Sequence, residues 1–133
     1  MSMLSLNYYK HNPKAKDPIF ATRGSACFDL HACFDDVKTY KVRQDTLTRE
    51  IEKPLRNGVL QIYTMERVLV PTGLVLDIPA GFSVRLHSRS GLAYTQGLYL
   101  TNCEGIIDSD YIEPVFAMMT NISQAPKSIN NGD

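Results

Sequence analysis

The feature that most constrains the fold is a series of short apolar segments cut at close intervals by proline and glycine. Val68-Leu69-Val70 runs into Pro71-Thr72-Gly73, and Leu74-Val75-Leu76-Asp77-Ile78 runs into Pro79-Ala80-Gly81. Phe82-Ser83-Val84-Arg85-Leu86 then alternates apolar and polar. Proline lacks an amide donor and glycine favours turns, so no helix of ordinary length survives such punctuation. Short β-branched and aromatic runs between turn signals are strands. The same pattern predicts strands at Ile19-Phe20-Ala21, Phe28 to Phe34, Val59 to Tyr63, Gly97 to Leu100 and Val115 to Met119. Helix is hinted at only from Thr46 to Glu52, cut off by Pro54, and from Ser90 to Gln96, stopped by Gly97. Roughly seven to ten short strands with at most one short helix predict an all-β domain, a distorted jelly-roll-like β-barrel.

The 133 residues suffice for one domain with a real core, so a single domain over 1–133 is expected. The 14 basic and 14 acidic residues cancel, which argues against general attraction to nucleic acid or an anionic membrane. Any phosphate binding must therefore come from a few placed residues. No apolar run approaches membrane-spanning length, and the polar start Met1 to Asn7 does not read as a signal peptide. Cys27, Cys33 and Cys103 are odd in number and lack CxxC spacing. Reduced thiols in a cytoplasm-like compartment fit that pattern better than a disulfide framework or a zinc site. His11, His31 and His87 are scattered, which gives a histidine metal cluster little support. Residues 35–66 are the most charged and least patterned part and are expected to leave the sheet.

Two segments carry chemistry. In Gly105-Ile106-Ile107-Asp108-Ser109-Asp110-Tyr111, two β-branched residues end a strand and two carboxylates and a tyrosine follow. Asp108 and Asp110 lie two apart and could share a strand face, where one could orient or deprotonate a water. The alternative is an acidic turn that hydrogen-bonds its own backbone. Upstream, Arg89-Ser90-Gly91 offers a guanidinium fork, a hydroxyl and a backbone without Cβ, a means of holding phosphate oxygens. It is neither a Walker loop nor a nucleophile elbow. Tyr111 could stack on a sugar or base or pack in the wall. Asn102 carries donor and acceptor on one amide, suited to a base edge or to a turn. A phosphate cradle beside a water-directing carboxylate suggests hydrolysis of a phosphoanhydride.

Taken in order, these pieces resemble the trimeric all-β dUTPases (deoxyuridine triphosphate nucleotidohydrolases). Gly24 to Ala32 is similar to the family's first motif, Ser88 to Ala93 to the second, and Asn102 to Tyr111 to the third. Pro71-Thr72-Gly73-Leu74 matches a linking strand. The resemblance implies that dUTP is split to dUMP and pyrophosphate by a homotrimer whose sites draw on several subunits. It implies that Asp108 orients the attacking water and that Arg89, Ser90 and Gly91 hold the phosphates. By the same resemblance Asn102, the backbone of Ile106, Ile107 and Asp108, and that of Phe116 read uracil, while Tyr111 packs on the deoxyribose. Asp29 would contact Mg²⁺ through water, the ion being chelated mainly by the triphosphate. The compartment expected is the cytoplasm, or a host cell's cytoplasm for a viral protein.

The sequence departs from the family pattern in four ways. Cys27 replaces a usual glycine, which is tolerable at negative φ. Glu113-Pro114 follows the third motif, and proline there shifts the start of the return strand. Residues 37–66 form an insertion, expected as an extra hairpin turning near Asn57-Gly58. The sequence ends at Asn130-Asn131-Gly132-Asp133, where the fourth motif begins, so a truncated form with weak binding and slow turnover is expected. Two rivals are a dCTP deaminase-related enzyme, for which Glu104 would be the general base, and a nucleotide-binding regulator without catalysis.

Overall fold

The computed structural model describes residues 3–44 and 49–133. Its eleven strands are β1 (Asn7–Lys10), β2 (Thr39–Arg43), β3 (Ile51–Pro54), β4 (Val59–Ile62), β5 (Arg67–Pro71) and β6 (Leu74–Asp77), then β7 (Ser83–His87), β8 (Leu98–Leu100), β9 (Glu104–Asp108), β10 (Phe116–Asn121) and β11 (Lys127–Asn130). The one helical element among the described residues is a π-helical turn, Leu92–Gln96, closed by Gly97 at φ 69°. A five-stranded sheet runs β3-β2-β5-β10-β8, and three two-stranded ladders pair β1 with β6, β4 with β11 and β7 with β9. The domain is all-β and jelly-roll-like. These pairings do not join into one closed barrel among the described residues.

Alternation builds the core. Tyr40 and Val42 of β2, Leu60 and Ile62 of β4, and Val68 and Val70 of β5 point inward and cluster with Leu98, Leu100 and Met119. A second cluster joins Leu76, Ile78, Ile107 and Val115, with Leu30, Val84 and Leu86 packed against it. Each such side chain contributes about 1.5–3 kcal/mol on full burial. Two polar knots fasten the seams. Fully buried Asn121 donates from Nδ2 to the carbonyls of Ile62 and Ala125, both at 2.8 Å. Its Oδ1 accepts from the Ser123 amide at 2.8 Å and the Ser123 hydroxyl at 2.7 Å. Buried Glu66 accepts from Lys53, from Gln44 at 2.9 Å and from the Tyr63 amide at 2.9 Å. Burial alone would raise its carboxyl pKa, but these donors outweigh burial and hold it below the usual range.

Several expectations need correction. Residues 35–66 do not leave the sheet, because β2 and β3 extend the five-stranded sheet and β4 pairs with β11. Thr39-Tyr40-Lys41-Val42-Arg43 alternates exposed and buried residues, the strand signal that the charges obscured. Asn57-Gly58 does make a tight turn, with φ 55° and 70°, but it links β3 to β4, which separate. The hairpin itself is β2–β3. The helix expected from Thr46 to Glu52 lies partly outside the described residues, and its remainder enters β3. Ile19-Phe20-Ala21 contributes a single bridge, Ile19 to Asp29, and Phe28 to Phe34 is not a strand. That second segment is tied by scattered bonds instead: Cys33 N–H to the Pro71 carbonyl at 2.9 Å and Ala32 N–H to the Asp133 carbonyl at 2.7 Å.

Candidate active site

The β7–β9 ladder positions the key residues. Its register sets Ser83 opposite Asp108, Arg85 opposite Ile106 and His87 opposite Glu104. Gly105 and Ile107 face inward, whereas Ile106 and Asp108 face out. Ile107 is 8% exposed in the second core cluster, so its side chain is an anchor and only its backbone can meet a ligand. A Cβ on Gly105 would lie 3.4 Å from both the Asn102 amide nitrogen and Leu86, which shows how closely Asn102 rests on β9.

At one end of the ladder the chain turns. The Tyr111 amide donates to the Asp108 carbonyl at 3.1 Å, and the Tyr111 hydroxyl donates to the Pro114 carbonyl at 3.0 Å. The tyrosine ring is thereby fixed while 40% exposed. Asp110 sits inside this turn, beyond the end of β9, so it does not share a strand face with Asp108. Pro114 precedes β10, which starts at Phe116, in keeping with a return strand that begins after the proline.

At the other end, β7 leads into Ser88-Arg89-Ser90-Gly91. The Ala93 amide donates to the Arg89 carbonyl at 3.0 Å, and the Thr95 hydroxyl to the Gly91 carbonyl at 2.6 Å. No described residue hydrogen-bonds or ion-pairs with the side chain of Arg89, Ser90 or Asp108. Asn102 follows Thr101, whose amide donates to the Met118 carbonyl at 2.9 Å. Phe116 lies two residues along β10 from Met118, opposite Pro71, and also lines a cavity of about 350 Å³ with Leu69, Tyr40, Lys41 and Glu52. That cavity contains no other predicted site residue.

Within one chain, the two chemical groups stay apart. Four residue steps separate Glu104 from Asp108 along β9, about 13 Å at ~3.3 Å per residue. Arg89 lies beyond the Glu104 end and Asp108 marks the other. Asp29 is half-buried, its amide bonded to the Ile19 carbonyl at 2.9 Å, and it precedes Leu30, which packs in the cluster of Ile107. Among the described residues no three His, Cys, Asp or Glu converge on a metal position. Cys27 is absent from the described non-glycine residues with positive φ, as its substitution for glycine requires. Glu104 is engaged by Arg85 at 3.1 Å and lies 3.6 Å from His87, contacts that sequence reasoning missed. Cross-strand placement on the outward face was the signal available for them.

These features define an all-β, jelly-roll-like domain with a polar site built at strand ends. Residues 55–133 match the family model described as dUTPase. Deoxyuridine 5'-triphosphate nucleotidohydrolase of Aquifex aeolicus is 36% identical over 127 residues, covering 93% of this chain and 70% of that protein. The enzyme of the same name from Wolbachia pipientis subsp. Culex pipiens is 37% identical over 123 residues, 92% of this chain and 66% of its own length. The chain thus spans about two thirds of these relatives. In fold, the dUTPase of Streptococcus mutans superposes with a TM-score of 0.69 at 22% identity, over 98% of this chain and 88% of that one. A dUTPase from phage phi11 of S. aureus gives 0.72 at 16% identity, over 98% and 84%. The chain belongs to the dUTPase family.

Proposed function

We propose that this chain hydrolyses dUTP to dUMP and pyrophosphate. The observation that carries the reading is the end of β9, where a core-anchored Ile107 delivers an exposed and unbonded Asp108 carboxylate directly before a fixed tyrosine ring. Asp108 orients a water for in-line attack on the α-phosphorus and accepts its proton as the bond to the leaving pyrophosphate breaks. Arg89, Ser90 and the Gly91 backbone hold phosphate oxygens, the arginine balancing charge and the others donating hydrogen bonds. Tyr111 packs on the deoxyribose, where a 2′-hydroxyl would collide.

Uracil lies between β9 and the start of β10. Among the described residues β9 pairs only with β7, and Phe116 and Ala117 pair only with β5, so each has an edge free of any strand partner. Peptide groups along those edges, with the Asn102 amide, present donors and acceptors to the base. Cytosine reverses one of these positions and would leave a buried group unpaired, at about 1–3 kcal/mol.

Mg²⁺ fits as an ion carried by the triphosphate, the usual pattern for this ion with phosphates. Asp29 would meet it through water. When bound, the ion neutralises phosphate charge and fixes the chain of phosphates.

The working form is a homotrimer. The distance of about 13 Å along β9 that parts the Arg89 loop from Asp108 favours a site assembled from the phosphate loop of one chain and the strand end of another. Three free cysteines favour a cytoplasmic setting. The deaminase alternative loses ground because Glu104 is held by Arg85.

The test is pyrophosphate release from dUTP beside dCTP, dTTP and UTP, with Asp108→Asn in parallel. Release from dUTP alone, abolished in the variant, is expected. Equal release from dCTP, or full activity in the variant, would refute the assignment.

A further inference from the structure

Ser88 stands outside the groups assigned to substrate, yet its hydroxyl oxygen accepts the Leu100 amide at 2.9 Å. Leu100 belongs to β8, the edge strand of the five-stranded sheet, and its side chain is buried in the main core cluster. Ser88 is thus the point at which the loop bearing Arg89, Ser90 and Gly91 is fastened to the rigid body of the domain. The far side of the loop has its own ties, through Arg89 and Gly91 carbonyls to the π-helical turn. On the near side, once β7 leaves its ladder with β9 at His87, the bond from Leu100 is the only one that ties Ser88 to a neighbouring element among the described residues. Arg89 and Ser90 have no side-chain partners among the described residues, so their aim depends on the backbone beneath them.

We infer that Ser88 is a positioning residue for phosphate, acting through the backbone of Arg89 and Ser90 without touching substrate. The inference rests on the proposed function and deepens it. It separates two parts of one substrate. The base-reading loop that follows Leu100 has anchors of its own: the Thr101 amide bonds to Met118 at 2.9 Å, and the Thr101 and Thr120 hydroxyls lie 2.6 Å apart. Loss of the Ser88 hydroxyl should therefore loosen the phosphate loop and leave base recognition intact.

Calorimetric titration with the α,β-imido analogue of dUTP and with deoxyuridine, which has no phosphates, tests this. Ser88→Ala is expected to weaken the imido analogue about five-fold, the value of one net hydrogen bond, while deoxyuridine binds as in the wild type. Ser88→Thr keeps the hydroxyl and should restore the affinity. Equal affinity of wild type and Ser88→Ala for the imido analogue would overturn the inference. So would a parallel loss of both ligands, the mark of a general structural role. Wild-type protein that binds neither ligand would overturn the proposed function itself, a result distinct from either of these.

Discussion

Asn121 offers the most demanding test of how this fold is held together. Its side chain is fully buried and all four of its hydrogen-bonding positions are used, two as donor and two as acceptor. It ties the end of β10 to β4 and to the turn that leads into β11. Asn121→Ala removes all four bonds. The Ile62 carbonyl loses its amide partner in a buried place, a cost of about 1–3 kcal/mol. The partners at Ser123 and Ala125 are only part-buried and regain water, so about 0.5–1 kcal/mol each is appropriate. The sum is about 2.5–6 kcal/mol. Asn121→Asp keeps the shape but turns an oxygen toward two carbonyls at 2.8 Å, where only donors fit. The new carboxyl should hold its proton, with a folded pKa above the unfolded value of about 3.9. Its deficit relative to wild type is then smallest below about pH 4 and grows as pH rises toward the folded pKa. Urea unfolding followed by circular dichroism at about pH 4.5 and pH 7 measures both variants against wild type. The reasoning fails if Asn121→Ala costs less than about 1 kcal/mol, or if Asn121→Asp loses less stability at the higher pH.

Three further outcomes are expected. Glu66 has a lowered folded pKa, so its contribution is complete above the unfolded value of about 4.3 and fades as pH falls through the folded pKa; Glu66→Gln should flatten that acid limb in melting curves, and an unchanged limb would count against the knot. Gly73 has φ +70°, and a Cβ there would come 2.9 Å from Asn12 Cβ and 3.0 Å from Ala15 Cβ; Gly73→Ala should cost at least about 2 kcal/mol in chemical unfolding, through overpacking and left-handed strain together. Cys103 holds φ 63° without being glycine, so Cys103→Gly should be neutral or stabilise by up to about 1 kcal/mol, where a clear loss would contradict the strain.

Where local pattern decided the structure, the sequence was legible. Leu74-Val75-Leu76-Asp77 and Ser83-Val84-Arg85-Leu86-His87 sit between proline and glycine turns and became β6 and β7 as expected. Phe28 to Phe34 alternates just as well, yet its amides bond to Pro71, Asp133 and Ile19, so distant partners overrode local period. Thr39 to Arg43 failed in the opposite sense, its charges masking the inward Tyr40 and Val42. For the proposed site, residue types and spacing are what nominate Asp108, Tyr111 and the Arg89 loop. Register could not be read in advance, and register is what places Arg89 and Asp108 at opposite ends of a ladder. The Ser88 and Thr101 fastenings were equally invisible, since a hydroxyl's partner depends on which backbone arrives beside it.

That division of the ladder has an arithmetic consequence. If each site takes Arg89 from one chain and Asp108 from its neighbour, two inactive proteins can make an active one. Arg89→Ala chains still carry a sound acid end, and Asp108→Asn chains still carry a sound phosphate end. Unfolded together in equal amounts and reassembled at random, they would form intact sites in about a quarter of all positions. Each protein reassembled alone would form none, and the lost activity would return by redistribution of parts, with no residue repaired.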